Sequence, residues 1–347
     1  MKKTVVAAVI GSVIASASAM AAEVYKSDDM SVSVYGNLRA RYETTDNGVM
    51  GADSTFTGEG TELGLNMTYF MPNNMYVNGD VLKEFNIIPE DGDGFDDSDF
   101  LKFGSVAIGG DFGEFRIGRM SAVQDTLAGQ YDITWEYGGT ANIKEDWAAT
   151  DRLTNGLQYK IDVQNFTIMA QYHTGDEGID ASGAANPDRG ELGIDQAYAL
   201  GVAWNADFGL GLSGTYTQSE RTERSIYGDD TDTSWTLNAT YEYKALSLAA
   251  MYADYDFAGD EKTGIGATAR YDLPMGVGLY GVYDYVDYDT KDNKLNQYTI
   301  GADYWLTNQV VSYVEYADMS FDDEKTALDG EKMLDDNAFT IGMRLYF

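Results

Sequence analysis

The chain has 347 residues, no cysteine, four prolines and a formal net charge of −34. Without cysteine it can form neither a disulfide nor a thiolate metal site. The negative charge disfavours binding to nucleic acid, which needs cationic contacts, and the lack of a long apolar run after the amino terminus excludes a transmembrane helix.

The amino terminus has the pattern of a secretory signal peptide. Lys2 and Lys3 precede an apolar stretch from Thr4 to about Ile14, and small residues follow up to Ala21. This order of charge, apolar core and A-x-A cleavage site is typical of exported proteins. We expect cleavage after Ala21, with residues 1–21 as the signal peptide and 22–347 as one mature domain.

Apolar side chains recur at every second position along most of the chain. The alternation is clear in 62–69, 166–173, 234–243 and 339–347, and the last of these ends at the aromatic residue Phe347. A period of two predicts a β-strand with two unlike faces. In a soluble sandwich the apolar face would line a core, whereas in a membrane barrel it faces lipid and the polar face lines a wet lumen.

The connections between these segments alternate in length, which favours the membrane barrel. Short turns are predicted at 72–74, 109–113, 163–164, 205–209, 244–245, 274–276 and 307–308. Long polar stretches lie between them at 44–60, 87–98, 120–149, 174–194, 220–231, 257–262, 289–294 and 321–336. The sequence therefore predicts an all-β, antiparallel transmembrane β-barrel of about 16 strands, which is wide enough for an aqueous channel.

Several motifs resemble the general diffusion porins of Gram-negative outer membranes. They are the mature start Ala22-Glu-Val-Tyr25, the segment Val34-Tyr-Gly36, the terminal Phe347, and Phe115-Arg-Ile-Gly-Arg119 followed by a long loop with Glu136-Tyr-Gly-Gly139. The resemblance covers essentially the whole chain. It implies a homotrimer in the outer membrane, in contact with lipid and lipopolysaccharide. It also implies a third loop folded into the lumen and passive diffusion of ions and small hydrophilic solutes.

The resemblance also assigns acidic residues to the constriction. The family's third loop carries two acids four positions apart that face the pore, and Asp132 and Glu136 match this spacing and context. In a wet constriction, opposed charges orient dipolar solutes and set ionic selectivity. With the negative charge of the chain, these acids predict a preference for cations. The alternative is that both are ordinary acidic loop residues.

Opposite these acids, the family lines the barrel wall with basic residues. Arg152 matches one such position, whereas Glu62 and Phe100 stand where the family has two others. Strand alternation points to substitutes on the inward face, namely Arg39, Arg41 and Lys102. We therefore expect a pore wall with basic residues but a different arrangement of charge from the family's.

Aromatic residues of the same loop suggest an alternative function. Tyr131, Trp135 and Tyr137 could stack on sugar rings, which would make the chain an oligosaccharide-specific porin, and Trp135 stands where the family usually has proline. The competing interpretation is that Trp135 packs the loop onto the wall. A non-conducting adhesin is a further alternative, because external loops can serve both roles.

No enzymatic, cofactor or metal site is predicted. His173 is the only histidine, alternation places it in the lumen, and no nucleophile motif accompanies it. The acidic segment 90–99 lacks the spacing of an EF-hand calcium loop. A solvated external loop is the preferred interpretation of that segment, with weak divalent binding that bridges lipopolysaccharide phosphates as the alternative.

Overall fold

A computed structural model describes residues 22–46, 52–88, 100–144, 149–176, 194–221, 231–257, 259–289, 292–322, 325–326, 332–333 and 336–347. The predicted signal peptide and segment 90–99 lie outside these residues. Within the described ranges, no helix has both the length and the apolar character needed to cross a bilayer.

The described strands form one large antiparallel sheet and a separate two-stranded ribbon. In chain order they are β1 (Ala22–Lys26), β2 (Met30–Asp46), β3 (Ala52–Thr57), β4 (Thr61–Phe70), β5 (Tyr76–Phe85), β6 (Phe100–Gly110), β7 (Gly113–Ser121), β8 (Arg152–Val163), β9 (Phe166–Asp176) and β10 (Ile194–Asn205). They continue as β11 (Leu210–Arg221), β12 (Thr231–Tyr243), β13 (Leu246–Phe257), β14 (Asp260–Asp272), β15 (Val277–Tyr288), β16 (Asn293–Trp305), β17 (Val310–Phe321), β18 (Lys325–Thr326), β19 (Lys332–Met333) and β20 (Asp336–Tyr346). The ribbon is β18 with β19.

The large sheet closes on itself. Strands β2, β4 to β17 and β20 each pair with the next, and β20 pairs back onto β2 from Asn37↔Tyr346 to Asp46↔Asn337. The backbones of Gly36 and Phe347 complete the seam with two hydrogen bonds, of 3.0 and 3.1 Å. The prediction of a closed antiparallel barrel of sixteen strands is confirmed.

The two faces of each strand divide as the alternation predicts. On β12, Leu237 is 56% exposed on the outside, whereas its neighbour Thr236 is 1% exposed on the inside. The last strand repeats the pattern, with Ile341 and Met343 outside and Arg344 buried inside. An apolar exterior around a polar interior is the reverse of a soluble sandwich and fits a wall that faces lipid.

All seven predicted short turns join consecutive strands at one end of the barrel. Three of them contain non-glycine residues with positive φ: Asn73 and Asn74 at 62° and 58°, Gln164 at 56° and Lys244 at 57°. The other end differs in detail from the sequence analysis. The stretch 44–60 contains β3, which pairs with residues 41–46 of β2. The joins at 257–262 and 289–294 are shorter than predicted because the flanking strands extend into them.

Candidate functional site

The loop between β7 and β8, residues 122–151 and called loop three below, lies inside the barrel in its described part. It starts with a short helix, α1 (Val123–Ala128), followed by a 3₁₀ turn at Gly129–Tyr131. Val123 and Leu127 are buried against Met169 and Ala199 on the inner wall, and Ser213 donates a hydrogen bond of 2.9 Å to the Leu127 carbonyl. The base of the loop is therefore packed onto strands β9 to β11.

Glycines on the inner wall make room for this loop. A Cβ added at Gly264 on β14 would meet the backbone carbonyl of Ala141, and one at Gly266 would meet the ring of Tyr131. On β10, a Cβ at Gly201 would meet Val123. Because a barrel wall with side chains at these positions would push the loop towards the pore axis, the glycines define where loop three sits.

Tyr131 fixes the middle of the loop to the wall. Its side chain is fully buried, its hydroxyl donates to the Asp284 carboxylate at 2.8 Å, and its carbonyl accepts from the Thr268 hydroxyl at 2.6 Å. Asn142 returns from further along the loop, and its N–H donates to the Tyr131 hydroxyl at 3.2 Å. A ring with no exposed face cannot stack on a solute, so the structure excludes Tyr131 from the predicted stacking set.

Asp132 belongs to a local turn of the loop. Its carboxylate accepts hydrogen bonds from the backbone N–H and the hydroxyl of Thr134, at 3.0 and 2.7 Å. In the described part of the chain it makes no ion pair with a basic side chain. Burial raises the pKa of Asp132 above its ordinary value, against the opposing effect of the Thr134 hydrogen bonds.

Glu136 is held by basic side chains of the wall. Its carboxylate lies 2.9 Å from the Arg344 guanidinium and 3.4 Å from that of Arg41, and the Tyr313 hydroxyl also donates to it. Burial by itself raises the pKa of Glu136, but the charges of Arg344 and Arg41 outweigh burial and lower the pKa below its ordinary value. Glu136 is therefore an ionised contact between the loop and the wall.

A carboxylate that the sequence analysis missed binds the backbone of the same segment. Glu315 on β17 accepts hydrogen bonds from three consecutive backbone N–H groups, of Trp135, Glu136 and Tyr137, and the last two measure 2.8 and 3.2 Å. The Tyr280 hydroxyl donates to Glu315 as well, at 2.7 Å. Alternation puts Glu315 on the inward face of its strand, but nothing in the sequence links it to a loop about 180 residues earlier.

The Trp135 ring packs onto the wall. It lies 5.4 Å from the ring of Tyr313 and 6.2 Å from that of Trp305, measured between centroids. The Arg344 guanidinium lies 4.9 Å from the centre of the Trp135 ring. The indole N–H of Trp135 donates a hydrogen bond of 3.2 Å to Asp303. These contacts favour the packing interpretation of Trp135 over the stacking one. Tyr137, the third predicted aromatic residue, is partly buried.

The predicted basic residues of the wall all have acidic neighbours. Arg41 pairs with Glu43 at 2.7 Å in addition to Glu136, and Arg152 pairs with its neighbour Asp151 at 3.0 Å. In the family the basic residues lie opposite the loop acids, whereas here Arg41 lies beside Glu136. The charges of the wall and of the loop meet on one side of the lumen at this point.

Lys102 and Arg39 both lie near the carboxylate of Glu62, on the inner wall. The Lys102 ammonium lies 2.6 Å from Glu62 and 3.0 Å from Glu84. Arg39 lies 3.8 Å from Glu62 and donates to Asn37 at 2.7 Å. Lys102 faces inward as predicted, although the reason is a β-bulge: Leu82 pairs with residue 103 and the next residue of β5 pairs with residue 101. A bulge redirects the extra side chain.

His173 and the acidic residues are the side chains on which an enzymatic or metal site would depend. His173 is buried on the inward face of β9, as predicted, with Nε2 3.2 Å from the Thr154 hydroxyl. Across the described ranges, histidine, aspartate and glutamate form no group of three or more that could hold a metal ion. The lumen offers charged and hydrogen-bonding groups to passing solutes.

A sixteen-stranded barrel with an apolar outside, a polar inside and an inserted loop has the architecture of an outer-membrane channel. The model of the Gram-negative porin family matches residues 4–324. The chain belongs to this family, and its location is the outer membrane of a Gram-negative cell.

Two relatives match over their full length. Outer membrane protein S2 of Salmonella typhi is 26% identical over 392 aligned residues, with all of both chains covered. Outer membrane porin N of Escherichia coli K12 is 23% identical over 385, again with all of both chains covered. The first is named as an outer-membrane protein and the second as a porin, which agrees with the family.

Solved structures share the fold at low sequence identity. OmpF of Salmonella typhi, in complex with daunomycin, has a TM-score of 0.77 at 17% identity and covers 94% of this chain and 100% of its own. An anion-selective porin from Comamonas acidovorans has 0.75 at 18%, covering 92% and 100%. OmpT of Vibrio cholerae in a trimer form has 0.69 at 16%, also covering 92% and 100%.

Proposed function

We propose that this porin is a general diffusion channel that prefers cations and lets ions and small hydrophilic solutes cross the outer membrane passively. The observation that carries the proposal is the attachment of loop three inside a polar barrel, through Tyr131, Glu136 and the Glu315 carboxylate. A loop fixed at several points narrows a wet lumen, so that solutes are selected by size and charge.

The preference for cations rests on the residues, because the fold itself allows either sign. A barrel of the same fold is described as anion-selective in Comamonas acidovorans. In this chain, Asp132 is a partly buried acid with no cationic partner at ion-pair distance in the described part. The formal net charge of −34 adds a field that concentrates cations near the channel.

The assembly we propose is a homotrimer in contact with outer-membrane lipid and lipopolysaccharide. The support comes from family membership and from OmpT of Vibrio cholerae, whose structure is described in a trimer form. Large apolar residues cover the outside of the barrel, including Leu237 and Ile300 at 56% and 63% exposure. Lipid or neighbouring copies are the partners that such a surface fits.

Sugar specificity through Trp135 has less support, because the ring already contacts Tyr313, Trp305 and Arg344. The test is single-channel recording with micromolar oligosaccharides. We expect no resolved blocking events, since a wet pore without a tight site gives a solute no long residence. An adhesin without a channel would give no conductance steps at all.

The contrary result would be long, concentration-dependent blocks by one class of sugar. If Trp135 stacked on a sugar with the roughly 0.5–1.5 kcal/mol of an aromatic pair, Trp135→Ala would shorten these blocks by up to roughly ten-fold. Trp235→Ala is the matched control, because this tryptophan lies on the outside of β12. If Trp135→Ala removes such blocks and Trp235→Ala does not, the proposal of general diffusion would give way to one of specific transport.

A further inference from the structure

Seven charged side chains form a belt along one arc of the inner wall, from β20 through β2, β4 and β5 to β6. In order around the wall they are Arg344, Glu136 of loop three, Arg41, Arg39, Glu62, Glu84 and Lys102. We call this set the charge belt. In the charge belt, acidic side chains lie between basic ones, beginning at Glu136 of loop three.

Glu62 is at the centre of the half of the belt that lies away from the loop. One carboxylate oxygen lies 2.6 Å from the Lys102 ammonium and 3.8 Å from the Arg39 guanidinium. The other accepts a hydrogen bond of 2.7 Å from the Asn37 amide. The Glu62 side chain is 10% exposed, so its main effect on the lumen is to neutralise the charges of Lys102 and Arg39.

Glu84 completes this arrangement from the next strand. Glu62 and Glu84 are direct cross-strand partners of β4 and β5, where two like charges repel each other. The bulge in β6 places the Lys102 ammonium between them, at 2.6 and 3.0 Å. The geometry holds two acids against two wall cations, Arg39 and Lys102, so the formal charge of this group is zero.

We infer that Glu62 and Glu84 set the charge preference of the pore by cancelling the wall cations Arg39 and Lys102. If these acids were absent, two uncompensated positive charges would line the lumen beside loop three and attract anions. With them, Asp132 of loop three and the net charge of the chain decide which ions enter. This inference deepens the proposed cation preference and names the wall residues on which it depends.

The experiment compares reversal potentials of the purified full chain in planar bilayers under a potassium chloride gradient. The variant Glu62→Gln with Glu84→Gln keeps side-chain size but exposes the charges of Arg39 and Lys102. We expect its potassium-to-chloride permeability ratio to fall by roughly two-fold or more, given the strength of Coulomb interaction in water. Lys102→Gln should move the ratio in the opposite direction.

Glu23→Gln is the matched control for one lost negative charge. Glu23 lies on β1, exposed and paired with Lys26 at 2.8 Å, and the control should leave the ratio unchanged. Circular dichroism checks the fold of each variant, and Glu84→Gln alone, with about half the effect, replaces the double variant if that fails to fold. An unchanged ratio in a folded variant, or a shift of Lys102→Gln towards anions, would overturn the inference.

The outcome for the proposed function is read separately. Its sign of selectivity comes from the wild-type protein alone, whereas the role of Glu62 and Glu84 comes from the shift between wild type and variant. A wild-type channel that prefers anions would therefore contradict the cation preference even if the two glutamates shift the ratio as expected.

Discussion

Asp132 and Glu136 are four residues apart on loop three and differ in what surrounds their carboxylates. Among the described residues, Asp132 accepts hydrogen bonds only from Thr134, whereas Glu136 pairs with Arg344 and Arg41 of the wall. A paired carboxylate contributes little net charge to passing ions, while an unpaired one acts at full strength. We therefore propose different tasks for the two acids that the sequence treats as equivalent, selectivity for Asp132 and attachment of the loop for Glu136.

We predict that Asp132→Asn weakens the cation preference. The permeability ratio should fall by a factor on the order of two to five, because a unit charge about 4 Å away in water is worth about 1 kcal/mol. Asp207→Asn, in the exposed turn after β10, is the control and should change nothing. Reversal potentials at neutral pH measure both variants, and equal values for Asp132→Asn and wild type would remove Asp132 from the selectivity filter.

The same pair of proteins gives a pH dependence. Burial raises the pKa of Asp132 above its ordinary 3.8, so on acidification its charge is lost at a higher pH than the charge of an ordinary aspartate. As the pH is lowered from neutral, the difference between wild type and Asp132→Asn should therefore be lost before the pH falls to the range in which exposed aspartates titrate. A difference that persists through that range would show that Asp132 keeps an ordinary or lowered pKa.

At the level of elements, the position of loop three depends on missing side chains as well as on contacts. Gly264 and Gly266 on β14 leave room for the Ala141 carbonyl and the Tyr131 ring. The loop is then fixed by hydrogen bonds to Asp284 and Glu315. A close approach of two backbones is the situation in which a strand glycine has a positional role.

Gly264→Ala should displace the loop from β14, because the added methyl group meets the backbone of Ala141, which cannot rotate away. Overpacking of this kind costs about 1–3 kcal/mol, so we expect altered conductance and more frequent current fluctuations in single-channel records. Gly281→Ala on β15 is the control, since its nearest neighbour would lie 3.7 Å away. Identical records for wild type and Gly264→Ala would place Ala141 away from this strand.

The strands could be predicted from the sequence because their pattern is local. The alternation in 234–243 gives the carboxy-terminal end of β12 and the direction of its side chains, although the strand begins three residues earlier, at Thr231. The bulge that turns Lys102 inward leaves no such pattern, and β3 lies in a stretch whose polar composition predicts a loop. These two features depend on pairing with β5 and β2, so they follow from the assembled sheet.

The site could be predicted only in part, for a related reason. Asp132, Glu136 and the inward basic residues follow from motif and alternation. Their partners Glu315 and Arg344 come from strands near the carboxy terminus, which reach loop three only when the barrel has closed. Short motifs contain no information about contacts between residues so far apart in the chain, so the pairing of Glu136 with Arg344 and Arg41 could not be predicted from the sequence.

For the whole molecule, the closed barrel fixes which ends of the strands share a side of the membrane. We predict that tags inserted in 174–194 and 220–231 are reached by protease or antibody on intact cells. Tags in the turns at 72–74 and 205–209 should be reached only after the outer membrane is permeabilised, which serves as the control. Residues 177–193 and 222–230 lie outside the described part of the chain, so this experiment tests the prediction that they are external loops. The reverse pattern of accessibility would show that the barrel has the opposite orientation in the membrane.

The most direct test of the proposed cation-preferring channel is planar-bilayer recording of the purified full chain across a potassium chloride gradient. We predict stepwise conductance with a reversal potential of the sign for cation preference, and this potential should decrease at high salt as the lumen charges are screened. The absence of conductance steps, or a reversal potential of the opposite sign, would contradict the account.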